Sequence, residues 1–507
     1  MTVVGAARAL VVDMVLEPAG QASASGYETG RLVALAPWLI GHAARLRYLV
    51  GTQRPDGGWG GAGAYALVPT LSAVDALLAE MRRADPAGFL GSVDRGLRFI
   101  RARDWLSIPD TPAVDLIVPA LIASVNDRLE EFDRWRGWRL PLPAGIDGRR
   151  LANVRSRLAA GKPVPEKLLH ALEVVPDLAA YVPAMPAGAV GGSPAATAAW
   201  LGPVPPAPEH PARRYLEAAV RQHRGPVPCA TPIGMFERGW VLAWLAQAGV
   251  PVMVPHGLLA SLRPAAAPGG VPAGAGLPSD ADTTSVVLYA LARHGVVEEP
   301  RSLWAYELDT HFCTWRGEDG ASVTTNAHVL EAFGEYVGTG AVAPRYLAAI
   351  SKLAGWLCER QRPDGWWLDR WHASAYYATA CCALALDRFG GPVATDPLRR
   401  AVAWVLASQH PDGSWGTHGG TMEETAYALR IMMTRPDDSV DHAIARGYAY
   451  LLRCIRTRPR HALTDPPLWH DKDLYSPTTI VRAALLAALY QAERRLAGRP
   501  TVTAGPM

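Results

Sequence analysis

Charge is sparse in this chain and nearly cancels: 19% of residues are charged, and 50 Lys and Arg stand against 47 Asp and Glu for a net +3. Nothing in that balance calls for nucleic acid as a partner. Cysteine is scarce too. None of the six (Cys229, Cys313, Cys358, Cys381, Cys382, Cys454) falls in C-x-x-C spacing, and Cys381-Cys382 lies in an apolar helical stretch, so reduced, mostly buried thiols and a cytoplasmic setting are expected. No run approaches the roughly 20 apolar residues of a membrane span, which argues against integral membrane association. Met1 to Leu16 is mildly apolar, with one Arg and no small-residue cleavage pattern, so a signal peptide is not expected. Strand signals are few beside helix signals, and Phe is rare: 7, against 17 Trp and 16 Tyr.

What is present is first a repeat. Gln53-Arg54-Pro55-Asp56-Gly57-Gly58-Trp59 recurs as Gln361-Arg362-Pro363-Asp364-Gly365-Trp366-Trp367 and as Gln409-His410-Pro411-Asp412-Gly413-Ser414-Trp415. Pro fixes φ, Asp bonds local backbone and Gly is free to take φ > 0, so each copy is a turn between two helical stretches. Gln and Trp can tie that turn to the next helix pair. With 49% hydrophobic residues the chain can fill sizeable cores, and its length allows two or three domains. Two all-α barrels of antiparallel helix pairs are expected, on either side of the Pro/Ala/Gly-rich segment Pro264 to Gly276, a linker or flap.

The second feature is Leu277-Pro278-Ser279-Asp280-Ala281-Asp282-Thr283-Thr284-Ser285, just before the apolar run Val286 to Leu291. Asp and Ser ahead of such a run mark a helix start, so by itself the pair reads as an ordinary N-cap. Two carboxyls that close cannot easily both ionise, and between apolar walls one would keep its proton near neutral pH, the state a general acid needs.

The D-x-D-T-T segment together with the Q-x-P-D-G-x-W repeats resembles the bacterial class II terpene cyclases, the diterpene branch akin to copalyl diphosphate synthases and, more distantly, squalene-hopene cyclase. Further matching stretches run in order from Ser25-Gly26-Tyr27-Glu28 through Leu67 to Leu71, Leu116 to Leu121, Ser193 to Trp200, Phe236-Glu237-Arg238, Asn326-Ala327-His328, Asp369 to Tyr377 and Glu423 to Tyr427, to Trp469 and Lys472-Asp473-Leu474-Tyr475. The resemblance implies an all-α fold of two α/α barrels: an N-terminal helix of the β domain in 1–35, an inserted γ domain over 36–255, and the rest of the β domain, with the acid motif, over 256–507.

The reaction it implies begins when a carboxylic acid protonates the terminal alkene of a prenyl diphosphate. Asp282 would be the donor and Asp280 its support. Thr283 stands where the family often has a further Asp, with a hydroxyl that could donate to Asp282, and Asn326 would polarise the acid. The carbocation needs a dry pocket rich in π faces. Trp240, Trp315, Trp371, His372, Tyr376 and Tyr377 are the candidates. Arg370 and Lys472 would hold the retained diphosphate. Magnesium is implied by a γ-domain acidic patch, but Ala66 stands where Glu is usual, leaving Asp75 and Asp115. Asp437-Asp438-Ser439-Val440-Asp441 spells D-D-x-x-D, the metal motif of diphosphate-ionising synthases, yet its loop composition and the lack of a second ligand set argue against chemistry there.

Geranylgeranyl diphosphate cyclised to a labdane, clerodane or halimane skeleton is the first expectation. Farnesyl diphosphate giving drimenyl diphosphate is the alternative, ahead of a triterpene cyclase or a non-catalytic or carbohydrate-active α/α barrel. Monomer and homodimer both remain open.

Overall fold

Each turn repeat is a joint between an outer and an inner helix, and the three are built alike in the computed structural model. The Gln amide of each donates to the Gly carbonyl of its own turn and to the first turn of the next outer helix: Gln53 to Gly57 and Ser92, Gln361 to Gly365 and Pro397, Gln409 to Gly413 and Ala443. The Trp ring points back, its Nε1–H donating to Leu49, Leu357 or Val405 in the preceding outer helix at 2.6, 2.8 and 2.7 Å. Gly57, Gly365 and Gly413 all have φ between 92° and 99°. A Cβ at any of them would also run into the backbone carbonyl of Arg95, Arg400 or Arg446, so no other residue fits.

The structure describes residues 2–83, 88–163, 165–176, 182, 188–318, 320–340, 343–435, 437–457 and 465–497. Their only paired strands form a short antiparallel hairpin, Trp469–His470 with Leu474–Tyr475. The helices form two closed rings. In the C-terminal barrel the inner ring runs Gly234–Gln247, Ala281–Arg293, Val323–Gly338, Ala375–Phe389, Met422–Met432, Thr478–Ala497 and back to Gly234–Gln247. Val3–Leu16, Pro344–Arg360, Thr395–Ala407 and Asp441–Thr457 pack outside it. In the N-terminal barrel the ring is Gly26–Leu35, Leu67–Arg83, Val114–Leu129, the 3-10 segment Glu166–Val174 and Pro194–Leu201.

Two helices lie across the expected boundaries. Gly26–Leu35, expected with the C-terminal half, packs on Leu67–Arg83 and sends Tyr27 and Val33 into the N-terminal core. Gly234–Gln247, expected within the inserted domain, closes the C-terminal ring and buries Trp240 and Trp244 there. Of the first 35 residues, Val3–Leu16 alone forms a helix on the C-terminal barrel.

The inner helices begin with a set of short polar caps. Ser25, Ser193, Asp280, Ser322, Ser374 and Thr421 each accept a hydrogen bond from a backbone N–H of the helix they open. These N-terminal ends face each other across the interdomain cleft, as the cross-barrel bonds show: Lys472 to the Ser193 cap, Asp473 to the Ser25 cap and His470 to Tyr65. One stretch, Gly63–Arg83, has the length and composition of a membrane span, but 89% of its apolar window is buried within the N-terminal barrel.

Candidate active site

Asp280 is both the cap and a suppressed acid. Its Oδ1 accepts from the Thr283 N–H at 2.5 Å and its Oδ2 from the Thr283 hydroxyl at 3.0 Å. The Thr283 hydroxyl therefore serves Asp280, not Asp282. Burial, then the charge of Asp282, pushes Asp280 up to about 7, with Thr283 pulling the other way.

Asp282, one residue into the helix, turns toward the ring interior and meets His328 on Val323–Gly338, Nδ1 to Oδ1 at 2.7 Å. Both side chains are nearly enclosed, at 15% and 6% exposure. Burial works against a charged imidazole, but the Asp282 carboxylate raises His328 well above its ordinary value. Opposite an ionised Asp282 the ring is therefore held protonated, and its N–H on one carboxylate oxygen stabilises the base left behind when the other oxygen gives up a proton.

Trp240, Tyr377 and His372 are gathered around this pair. Trp240 meets the His328 ring edge-to-face at 5.4 Å and donates through Nε1 to the Tyr377 hydroxyl at 3.1 Å. Tyr377 stacks on His372 at 4.6 Å, and His372 Nε2 reaches Glu423 at 3.2 Å. Glu423 also accepts from Trp469 Nε1 and the Tyr427 hydroxyl, so one buried carboxylate fixes three aromatic rings. Toward the cleft, Trp315 and Trp371 pair edge-to-face at 5.1 Å, and the Arg370 guanidinium lies 5.2 Å from the Trp371 ring centre. Asp369 holds this loop in place, accepting from the Trp371 N–H, from the Ser322 hydroxyl and from both the N–H and the hydroxyl of Thr324.

Other expected residues are elsewhere. Tyr376 points outward onto Trp404 at 4.6 Å, because neighbours on a helix differ by about 100°. Asn326 bonds the backbone of Phe312 and Ser322 and makes no bond to Asp282. Lys472 is wholly buried, with Glu28 at 2.6 Å, Glu173 at 2.9 Å and the Ser193 hydroxyl at 2.9 Å. Two carboxylates hold its charge, and it ties the barrels together beside a small interbarrel pocket that it borders with Tyr65, Thr111 and Asp473. Arg370 is partly exposed and pairs with Asp110 of the N-terminal barrel at 3.4 Å, and among the described residues its buried Nε–H has no hydrogen-bond partner.

The residues named for magnesium do not fit it. Asp75 is clamped by Arg31 at 2.5 Å and Arg128 at 2.8 Å, which hold it below the usual carboxylate range although burial pushes the other way. Asp115 is engaged by Arg150. Among the described residues no three His, Cys, Asp or Glu side chains converge as a metal site would require. The D-D-x-x-D segment is likewise tied up, with Asp437 on Arg435 and Asp441 on Arg495.

Residues 318–454 match the family model described as squalene-hopene cyclase C-terminal domain. Ent-copalyl diphosphate synthase of Streptomyces sp. (strain KO-3988) is 43% identical, with 96% of each chain covered. The chain belongs to the bacterial class II terpene cyclases. Labda-7,13-dienyl diphosphate synthase of Streptomyces clavuligerus is 40% identical to this cyclase over 99% of its length and 95% of the relative. The solved ent-copalyl diphosphate synthase from Streptomyces platensis superposes with a TM-score of 0.91 at 44% identity, covering 97% of this cyclase and 99% of that chain.

Sequence reasoning missed His328 and Glu423. His328 is two residues past Asn326 in a stretch already singled out, and the spacing of Thr324, His328 and Glu331 along one helix face was the available signal. Glu423 sits beside a capping Thr and looks like an ordinary first-turn acid.

Proposed function

We propose that this cyclase protonates geranylgeranyl diphosphate and closes it to a bicyclic diterpenyl diphosphate that keeps its diphosphate. The observation that carries the reading is the Asp282–His328 pair, 2.7 Å apart in an enclosed aromatic setting at the mouth of the C-terminal barrel. The proton leaves from Asp282 Oδ2, the oxygen not engaged by His328, and adds to the terminal alkene. The His328 Nδ1–H on Oδ1 stabilises the carboxylate that forms. Asp280, occupied by Thr283, shapes the helix start and keeps a second negative charge away from the donor. The successive cations close two rings against π faces, for which Trp240, Tyr377 and Trp469 are the candidates.

Arg370 is the cation we assign to the diphosphate: partly exposed at the cleft, with a buried N–H unmatched among the described residues. The inner-helix N-termini facing the cleft favour an anion there. No step is routed through a metal. Free, mostly buried thiols support a cytoplasmic site of action.

Purified protein incubated separately with geranylgeranyl and farnesyl diphosphate, with and without chelator, followed by dephosphorylation and gas chromatography with mass spectrometry, tests the proposal. A bicyclic C20 alcohol is expected. A cyclic product from farnesyl diphosphate alone would change the chain length, and recovery of only linear alcohols would overturn the reading.

A further inference from the structure

Behind the acid, on the side away from the cleft, the C-terminal barrel holds a small cavity of about 20 Å³, enough for about one water. It lies ~8 Å below the helix N-termini, at about 1.5 Å per residue. His328 and Glu331, on one face of their helix, both border it, with Tyr289 and Gln247 opposite. Gln247 Nε2 donates to Glu331 Oε1 at 2.5 Å, and Gln247 Oε1 accepts from Arg430 Nη2 at 2.5 Å. Among the described residues the Tyr289 hydroxyl, which lines the cavity, has no hydrogen-bond partner, and nor do Nε and Nη1 of Arg430, whose guanidinium lies 4.2 Å from the Trp244 ring centre. A space of this size with an unmatched donor and a carboxylate holds water, whereas a dry void would be apolar. One turn further on, Glu335 pairs with Arg293 and Arg388, and the Arg388 side chain is 37% exposed, so this end of the barrel meets solvent.

Resting on the assignment of Asp282 as the acid, we infer that Glu331 and the water of this cavity return a proton to the His328–Asp282 pair after each turnover. The chemistry requires such a return. Asp282 gives its proton to the alkene, while the proton lost from the final cation leaves from a different carbon toward the cleft. Neutral with its proton on Nδ1 while Asp282 holds a proton, His328 takes one at Nε2 through cavity water from Glu331 once the carboxylate has formed, and then passes its Nδ1 proton to Asp282. Glu331 is refilled from solvent past Glu335, so no net proton is consumed. Burial leaves Glu331 at about 7 despite the pull of His328 and Arg430, so it can both hold and release a proton near neutrality.

Glu331→Gln keeps an acceptor for Gln247 but removes the transferable proton. In rapid-quench assays with geranylgeranyl diphosphate, one equivalent of product should form at close to the wild-type rate. Steady-state kcat should then fall about tenfold or more, with imidazole in the buffer restoring it. Tyr289→Phe, which deletes a water ligand without a charge change, should lower kcat less and in the same burst-then-slow pattern. An unchanged kcat in both variants would overturn the relay. So would a first turnover slowed as much as kcat, or a raised KM, either of which would make the cavity part of the substrate pocket. Full activity of Asp282→Asn in parallel would instead remove the acid assignment on which the relay stands.

Discussion

Asp75 and Asp280 are both fully buried carboxyls on inner-ring helices, one in each barrel, and their environments drive them in opposite directions. Asp75 has Arg31 and Arg128 against it and is held below the usual range. Asp280 has no cation against it among the described residues, only hydrogen bonds from Thr283 and the Ala273 backbone beside a neighbouring carboxylate, and is pushed up to about 7 by burial. The same ring architecture thus yields a static ion cluster in one barrel and a protonatable site in the other. The difference extends inward: below its mouth the C-terminal ring carries His328, Glu331 and Gln247 around a cavity, while Leu71, Val74, Leu78, Ile117, Leu121 and Val125 fill the N-terminal ring. Catalytic potential here follows from which buried charges are left incompletely matched.

The sharpest break is Asp282→Asn. Cyclisation of geranylgeranyl diphosphate should fall by about 10³-fold or more while the thermal midpoint changes little, checked by product chromatography beside calorimetry. Arg31→Ala attacks the other side of the comparison. It leaves Asp75 under-matched and should cost about 3 kcal/mol in denaturant unfolding, with activity per folded molecule retained.

A pH series separates the two acids. The folded pKa of Asp280 is raised, so its contribution to stability is complete below the unfolded value of 3.8 and is lost as pH rises toward about 7, at up to ~1.4 kcal/mol per pH unit. Asp75 has the opposite sign, contributing above its unfolded value and losing that contribution on acidification. Asp280→Asn should flatten the decline between pH 4 and 7 in thermal scans, and an unaltered slope would remove Asp280 as its source. The smallest effect is expected at the joints. Gln53→Ala and Gln361→Ala each free two carbonyls and should cost about 1–2 kcal/mol in either barrel.

The repeats announce the joints because Pro-Asp-Gly and a Gln-Trp bracket are local chemistry. The acid pair is equally legible, and its reading as an N-cap turns out to be one aspect of the site: Asp280 caps the helix and is also the carboxyl raised beside Asp282. What fails to show is pairing across the rings. His328 is 46 residues from Asp282, and nothing local says that they touch. Lys472 looks like a free cation until Glu28 and Glu173, hundreds of residues away, close on it. Gly26–Leu35 and Gly234–Gln247 have apolar faces that would suit either barrel, so periodicity could not assign them. Tyr376 and Tyr377 are adjacent aromatics in a matching stretch, and only helix phase decides which one faces inward.

The position of Val3–Leu16 on the C-terminal barrel bears on how the chain is made. This helix packs against Thr478–Ala497 and Gly234–Gln247 and buries Ala7, Leu10, Val11 and Met14 between them. It is synthesised before both of its supports and docks last, since one of them is the final inner helix of the ring. The N-terminal barrel, contiguous in sequence, can assemble while the other is still an open arc, and only the arrival of residues 478–497 lets Val3–Leu16 find its place.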